Sequence, residues 1–392
     1  MSGGAGEGRA GRGEGGGAAP RGRVLRMGLQ LAGFLAGLAS LAWCVSLALR
    51  PENEAQFKKL AGAPAHLILA MLGLSMATVV INGALFWAAG RVVRPLRFGD
   101  VQAINALCMF LSYLPLKAGA VARVLIHNRR DRIPLLTIGA WFAAMVVTMG
   151  AAIVPLFVAT VRHGRPDAWW AAEVLAMEAA LCVLLIGAAR LFRGERGAAR
   201  LRGAAGRLRF APLDRLLVSR AWVNLHQGFD IIASPPSTAG SFVLRLMDAA
   251  VHCGRFMVAA HILGVGLPLR EALPVSLTFF LVGVVSPSGL AGLREGAATG
   301  LAGLLLAKTG AHDDTFRVFA AVALLVTANE AIVFLLGAAL GVAWLRPDRL
   351  LRLRRGAGVC ATCGHAMESV PEGGACPACG AVRGEAGQER AG

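Results

Sequence analysis

Lysine is almost missing from this chain. Lys58, Lys59, Lys117 and Lys308 are all it has, so a formal charge of +17 rests on arginine, and acidic residues number 23 against 40 basic ones. Familiar catalytic patterns are missing too. There is no nucleophile elbow, no histidine-rich cluster and no paired-carboxylate motif beyond isolated acids, which weighs against an integral-membrane enzyme acting on lipid. The apolar run after Arg26 is too long for a signal peptide and lacks a small-residue cleavage site. Nor does the basic balance point to nucleic acid, because the arginines crowd the ends of apolar runs. That arrangement reads as positive-inside topology and affinity for anionic headgroups.

What is present is apolar sequence: 56% hydrophobic residues and a mean hydropathy of +0.60. Several runs reach about 20 residues, enough to cross a hydrocarbon core of about 30 Å. The expected fold is an all-α polytopic membrane protein with about six spanning helices plus two re-entrant helical hairpins in inverted-repeat arrangement, followed by a small zinc ribbon. Residues 1–24, rich in Gly, Ala and Arg, read as a disordered N-terminus, 25–346 as the transmembrane domain and 347–358 as a basic linker. Residues 359–381 read as the ribbon and 382–392 as a tail. Spans are expected over roughly Met27–Leu49, Ala65–Ala89, Pro134–Thr160, Ala168–Ala189, Ser241–Gly266 and Phe316–Leu345.

Two stretches break this pattern. Gly283-Val-Val-Ser-Pro-Ser-Gly-Leu-Ala-Gly-Leu-Arg-Glu-Gly296 puts a proline, glycines and an ion pair inside apolar sequence. Broken backbone at membrane depth requires protein or a water-filled cavity around it. Residues of about 271–308 therefore read as a hairpin, the alternative being one kinked span with a snorkelling arginine. Earlier, Tyr113-Leu-Pro-Leu-Lys-Ala-Gly119 interrupts residues of about 100–126, leaving two arms too short to cross alone. Dense arginine before Met27, over 190–220 and after Leu345 places all three in the cytoplasm, at a plasma (inner) membrane. That placement requires an even number of crossings in each half, which holds only if the 100–126 stretch returns to its own side. Lys58 and Lys59 would then lie outside, against the rule.

Ser286-Pro-Ser-Gly-Leu-Ala-Gly-Leu-Arg-Glu295 resembles the Pro-x-Gly-Gly-x-Gly-x-x-Glu hairpin of the lysylphosphatidylglycerol synthase transmembrane-region family, the flippase-like membrane domains. Tyr113-Leu-Pro-Leu-Lys-Ala-Gly-Ala-Val-Ala-Arg123 is similar to that family's earlier Pro-x-x-x-Gly-Glu-x-x-Arg hairpin, over a resemblance covering roughly residues 25–345. It departs at Ala120, where the family carries an acid, and lacks the family's Glu-Arg and Asp pattern around Ala140–Met149. The resemblance implies a transporter that translocates or binds an anionic phospholipid or lipid-linked precursor. With no aminoacyl-transferase domain in the sequence, lipid aminoacylation is not expected.

The candidate substrate-binding residues are Lys117, Arg123, Arg245, Asp248, His252, Arg255, Pro287, Gly289, Gly292, Arg294 and Glu295. Arg245, Asp248, His252 and Arg255 recur at helical spacing and share one face, as a stripe lining a polar path does. Alternatively the helix starts late and the first two lie at the cytoplasmic surface. Lys117 and Arg123 either hold a lipid phosphate or sit at the inner interface. Arg294 and Glu295 flank the expected midplane, with glycines that let backbone approach a headgroup. Glu178 and Glu330, mid-span, either pair with arginines or carry protons.

Cys360-Ala-Thr-Cys363-Gly and Cys376-Pro-Ala-Cys379-Gly are matching knuckles separated by twelve residues. Four thiolates at this spacing close a tetrahedral structural zinc site. A redox dithiol is the alternative, and His365 is a bystander. The ribbon's role is docking a cytoplasmic partner, which would make the chain a scaffold, or simply ending the chain.

Overall fold

The computed structural model describes residues 54–114, 117–194, 196–197, 199–200, 228–286, 292–307, 314–345, 370–371 and 373–377, with isolated positions at 35–46 and 203. Among them the regular elements are helices: α1 (Glu54–Ala61), α2 (Ala65–Val93), α3 (Phe98–Leu111), α4 (Ala118–Arg129), α5 (Leu135–His163), α6 (Ala168–Phe192), α7 (Pro235–Ile262), α8 (Leu269–Val285), α9 (Leu293–Ala307) and α10 (Asp314–Leu345). The expected first span, most of the arginine-rich linker, Pro287, Gly289, Cys360, Cys363 and Cys379 lie outside the described residues.

Four of the described helices are long and apolar enough to cross a membrane: α2, α5, α6 and the stretch Phe319–Leu345 of α10. At 28 residues α7 is long enough as well, but its charged stripe removes it from that set. It begins at Pro235 rather than near Ser241, because Pro235 and Pro236 occupy the first helical positions, where proline's missing N–H needs no partner and its fixed φ suits the helix. What reads as a turn signal in sequence is thus a helix start. Arg245 and Asp248 consequently sit three turns inside the helix and are buried, which removes the late-start alternative. Helix α1 had no counterpart in the sequence reading.

Both interrupted stretches form pairs of short helices. α3 and α4 are separated at Ser112–Lys117, and α8 and α9 at Ser286–Gly292. The first break closes tightly. Lys117 adopts a left-handed conformation (φ 51°), and a Cβ on Gly119 would collide with the Cys108 backbone carbonyl and the Ser112 hydroxyl. Only glycine lets the start of α4 approach the end of α3 this closely.

α7 packs along α2, and α10 along α3, with α8 and α9 against each other and against α7 and α10 respectively. In an apolar solvent these contacts rest on close packing and polar ties. Asn329 on α10 donates to the Met71 carbonyl at 3.0 Å and to Ser75 Oγ at 2.6 Å on α2. Asn105 on α3 donates to the Val79 carbonyl on α2 at 2.8 Å. α6 joins the bundle through α5 and α7, and its other side, including Leu175, Val183 and Leu184, is exposed.

Candidate functional site

Two half-length helix pairs and the polar face of α7 converge on one cavity of about 380 Å³. Its ionisable lining includes Lys117 and Arg123 from α4 and the turn before it, Arg245, Asp248 and His252 from α7, Arg294 from α9 and Glu330 from α10. Aromatic rings from α2, α5, α8 and α10 line the remainder: Phe86, Phe142, Phe279, Phe280 and Phe334.

A buried ionic lattice forms part of the cavity wall, with Arg294 and Glu330 in the lining and Arg255 and Glu295 behind them. Glu330 joins two guanidinium groups, with Arg255 Nη1 at 2.6 Å and Arg294 Nη1 at 2.7 Å. Tyr113 donates its hydroxyl to Glu330 Oε2 at 3.3 Å and accepts from Arg294 Nη2 at 3.2 Å. Arg294 also stacks over Phe279, 4.3 Å from the ring centroid, while Arg255 bonds His252 Nδ1. These groups come from α7, α9, α10 and the turn after α3, so one carboxylate ties together elements far apart in sequence.

Glu295 has a different task from the one its sequence position suggests. Its Oε2 accepts the Gly292 N–H at 2.6 Å, and its Oε1 accepts from Thr327 at 2.5 Å and from Arg294 Nε at 2.9 Å. The Gly292 bond is the back-reaching half of a capping box at the start of α9. Gly292 itself has φ 95°, which side-chain-bearing residues avoid. Glu295 therefore fixes the break in the backbone. It does not line the cavity, and neither do Gly292 and Arg255.

The charges separate into two shells. In the lattice, Arg255 and Arg294 meet Glu330 and Glu295 one for one. Elsewhere in the lining are Lys117, Arg123 and Arg245, of which Arg245 pairs with Asp248 at 3.6 Å. Lys117 donates instead to the Val284 carbonyl at 3.0 Å. Arg123 is only 4% exposed, yet no carboxylate among the described residues pairs with it. Its Nη2 donates to Asn105 Oδ1 at 2.6 Å, its guanidinium lies 3.5 Å from the Phe86 centroid, and its Nη1 has no partner. A buried guanidinium held by an amide and an aromatic face retains most of its charge for whatever enters the cavity.

No family model, curated protein or solved structure matches the chain. The site therefore stands on its own geometry. Of the sequence candidates, the structure gathers Lys117, Arg123, Arg245, Asp248, His252 and Arg294 around the cavity, with Arg255 and Glu295 behind it. Sequence reasoning passed over Tyr113, Asn105 and Thr327 and left Glu330 outside the candidate site. One signal was available: Tyr113 is the chain's single tyrosine, and it sits in the first break. Among the described residues no group of three or more His, Cys, Asp or Glu side chains is placed to hold a metal.

Proposed function

We propose that this protein binds an anionic amphiphile, a phospholipid or lipid-linked precursor, in the cavity and passes it between leaflets. The observation that carries the proposal is Arg123: a buried guanidinium without a carboxylate partner, at the wall of a cavity that is otherwise largely aromatic and aliphatic. Lys117 and the N-terminal end of α4 add positive potential on the same side. A phosphate matches these groups, and apolar rings suit the chains attached to it.

The cavity's outer wall favours an amphiphile over an aqueous anion. Val146, near the middle of the membrane-length helix α5, lines the cavity while 58% exposed on the surface that would face hydrocarbon. α5 meets α8 only sparsely beside it. An acyl chain can lie in such a gap while its headgroup reaches Arg123.

In this reading the α3–α4 and α8–α9 pairs are re-entrant hairpins in inverted-repeat arrangement, and both termini are cytoplasmic at the plasma membrane. Membership of the flippase-like family, and a transporter role without lipid aminoacylation, belong to the same proposal. So does structural zinc on Cys360, Cys363, Cys376 and Cys379, as a dock for a cytoplasmic partner.

The test uses purified full-length protein in vesicles containing fluorescent phosphatidylglycerol or phosphatidylcholine, read by dithionite quenching of the outer leaflet. Exchange should favour the anionic lipid. Ala120 lines the cavity one turn before Arg123, so Ala120→Glu supplies the missing carboxylate at i,i+3 spacing without removing any existing contact. This variant should keep its melting temperature and lose exchange of phosphatidylglycerol. Equal exchange by wild type and A120E would refute the role of Arg123, and no exchange by wild type would refute transport.

A further inference from the structure

Among the described residues four carboxylates are buried: Glu178, Asp248, Glu295 and Glu330. Asp248, Glu295 and Glu330 each lie within ion-pair distance of an arginine. Glu178 does not. It is only 5% exposed, and neither Oε1 nor Oε2 has a hydrogen-bond partner.

Val174, one turn before Glu178, packs into an apolar cluster with Leu156 and Ala159 of α5 and Ala249 and Phe256 of α7. Glu178 lies about 15 Å along α6 from Ala168 and about 21 Å from Phe192, by helical rise. It shares the packed face of α6 with Val174 and Ala189. That face meets α5 and α7. The ionisable groups of α5 are Arg162 and His163 at its end, both held by Glu173 of α6. Those of α7 are Arg245, Asp248, His252 and Arg255, committed to one another, the lattice or the cavity, the buried thiol Cys253, and the exposed His261. On α6 itself remain Asp167 and Arg190 at the ends, and Cys182 one turn beyond. None of these bonds Glu178.

We propose that Glu178 is a proton-binding site, separate from the cavity, at the seam between α6 and the α5–α7 pair. An isolated carboxylate buried without partners is so costly that the group holds its proton instead. Since, among the described helices, α6 packs on α5 and α7, any parting of α6 from α7 admits water to Glu178 and lets the proton leave. The proton's occupancy thereby reports, and biases, the packing of α6 on the helix that carries the charged stripe. This inference does not depend on what enters the cavity.

Dicyclohexylcarbodiimide, a lipid-soluble reagent that adds to protonated carboxyls in apolar surroundings, tests it on the wild-type protein in vesicles. Mass spectrometry of the digested protein should find the adduct on Glu178 and not on Glu295 or Glu330, with labelling falling as pH rises. Glu178→Gln, an isostere of the neutral acid, should remove the adduct and melt as the wild type does. Absence of an adduct on Glu178, or a Glu178→Gln variant that loses its fold, would overturn the proposal. Either result leaves the lipid-exchange outcome untouched.

Discussion

Removing the negative charge of Glu330 should be the most damaging single change in the lattice. The side chain is 2% exposed and sits between Arg255 at 2.6 Å and Arg294 at 2.7 Å. Glu330→Gln keeps the shape and removes the charge. Arg294 then retains Glu295 at 2.9 Å, whereas Arg255 keeps only neutral partners, the amide oxygen of the glutamine and the His252 ring. An uncompensated buried guanidinium costs about 3–5 kcal/mol. Arg294→Ala leaves both carboxylates with partners, Glu330 on Arg255 and Glu295 on Gly292 and Thr327. Its cost should stay nearer the about 1–3 kcal/mol of lost buried hydrogen bonds. The double change Arg255→Met with Glu330→Met removes both charges, and replacement of a buried pair by apolar residues of similar size is often neutral or stabilising by about 1–4 kcal/mol. Equilibrium unfolding in mixed detergent micelles, titrated with dodecyl sulfate, measures all three. The order of stability should be double variant above R294A above E330Q. An E330Q cost below about 1 kcal/mol, or a double variant no better than E330Q, would refute the lattice as drawn.

Three further outcomes follow from other parts of the fold. Gly119→Ala places a Cβ on the Cys108 carbonyl and forces the α3–α4 break open; unfolding titrations should show a loss of about 1–3 kcal/mol, with Arg123-dependent exchange reduced alongside. Asp167 caps α6 by accepting the Trp170 N–H at 2.9 Å, a bond that holds its carboxyl below the usual range. Because the folded value is the depressed one, the stability this cap contributes is present above the ordinary carboxylate range and lost as pH falls through the folded value; Asp167→Asn should flatten that acid-side loss in thermal melts. For the cysteine knuckles, metal analysis of the purified chain should find zinc removable by chelator and lowered in Cys376→Ser, with the melting of the helical bundle unchanged.

Much of this arrangement is legible in local sequence. The proline and glycine content of 283–296 marks the break between Val285 and Leu293, and Tyr113–Gly119 marks the one before α4. The three-four-three spacing on α7 places Arg245, Asp248, His252 and Arg255 on one face, and all four are buried there. Composition misleads at Pro235-Pro236, where a pair that reads as a turn starts a helix. At Arg294-Glu295 adjacency does mark an ion pair, 2.9 Å long, but not the further bonds of Glu295. Glu295 also faces its own helix start, because at the third position after Gly292 a glutamate reaches back to the free N–H. The true partner, Glu330, is 75 residues from Arg255 in sequence. No periodicity connects positions on different helices, so only packing shows that they meet.

The separation of the two charge shells also constrains how an anion can be accommodated. A substrate that had to displace Glu330 would leave a carboxylate stranded in the apolar interior, at a cost comparable to breaking the pair itself. Arg123 and Lys117 require no such displacement. Arg123 lines the cavity, its buried Nη1 has no hydrogen-bond partner, and its contacts with Asn105 and Phe86 come from α3 and α2. An anion arriving there lowers the energy of a charge already buried and takes nothing from the lattice. In the proposed binding mode the lattice stays intact at the α8–α9 break, and the anion meets Arg123 and Lys117 on the α3–α4 side. An acid at Ala120 would give Arg123 a carboxylate three residues away, so the Ala120→Glu comparison reads how far attraction for an anion rests on Arg123.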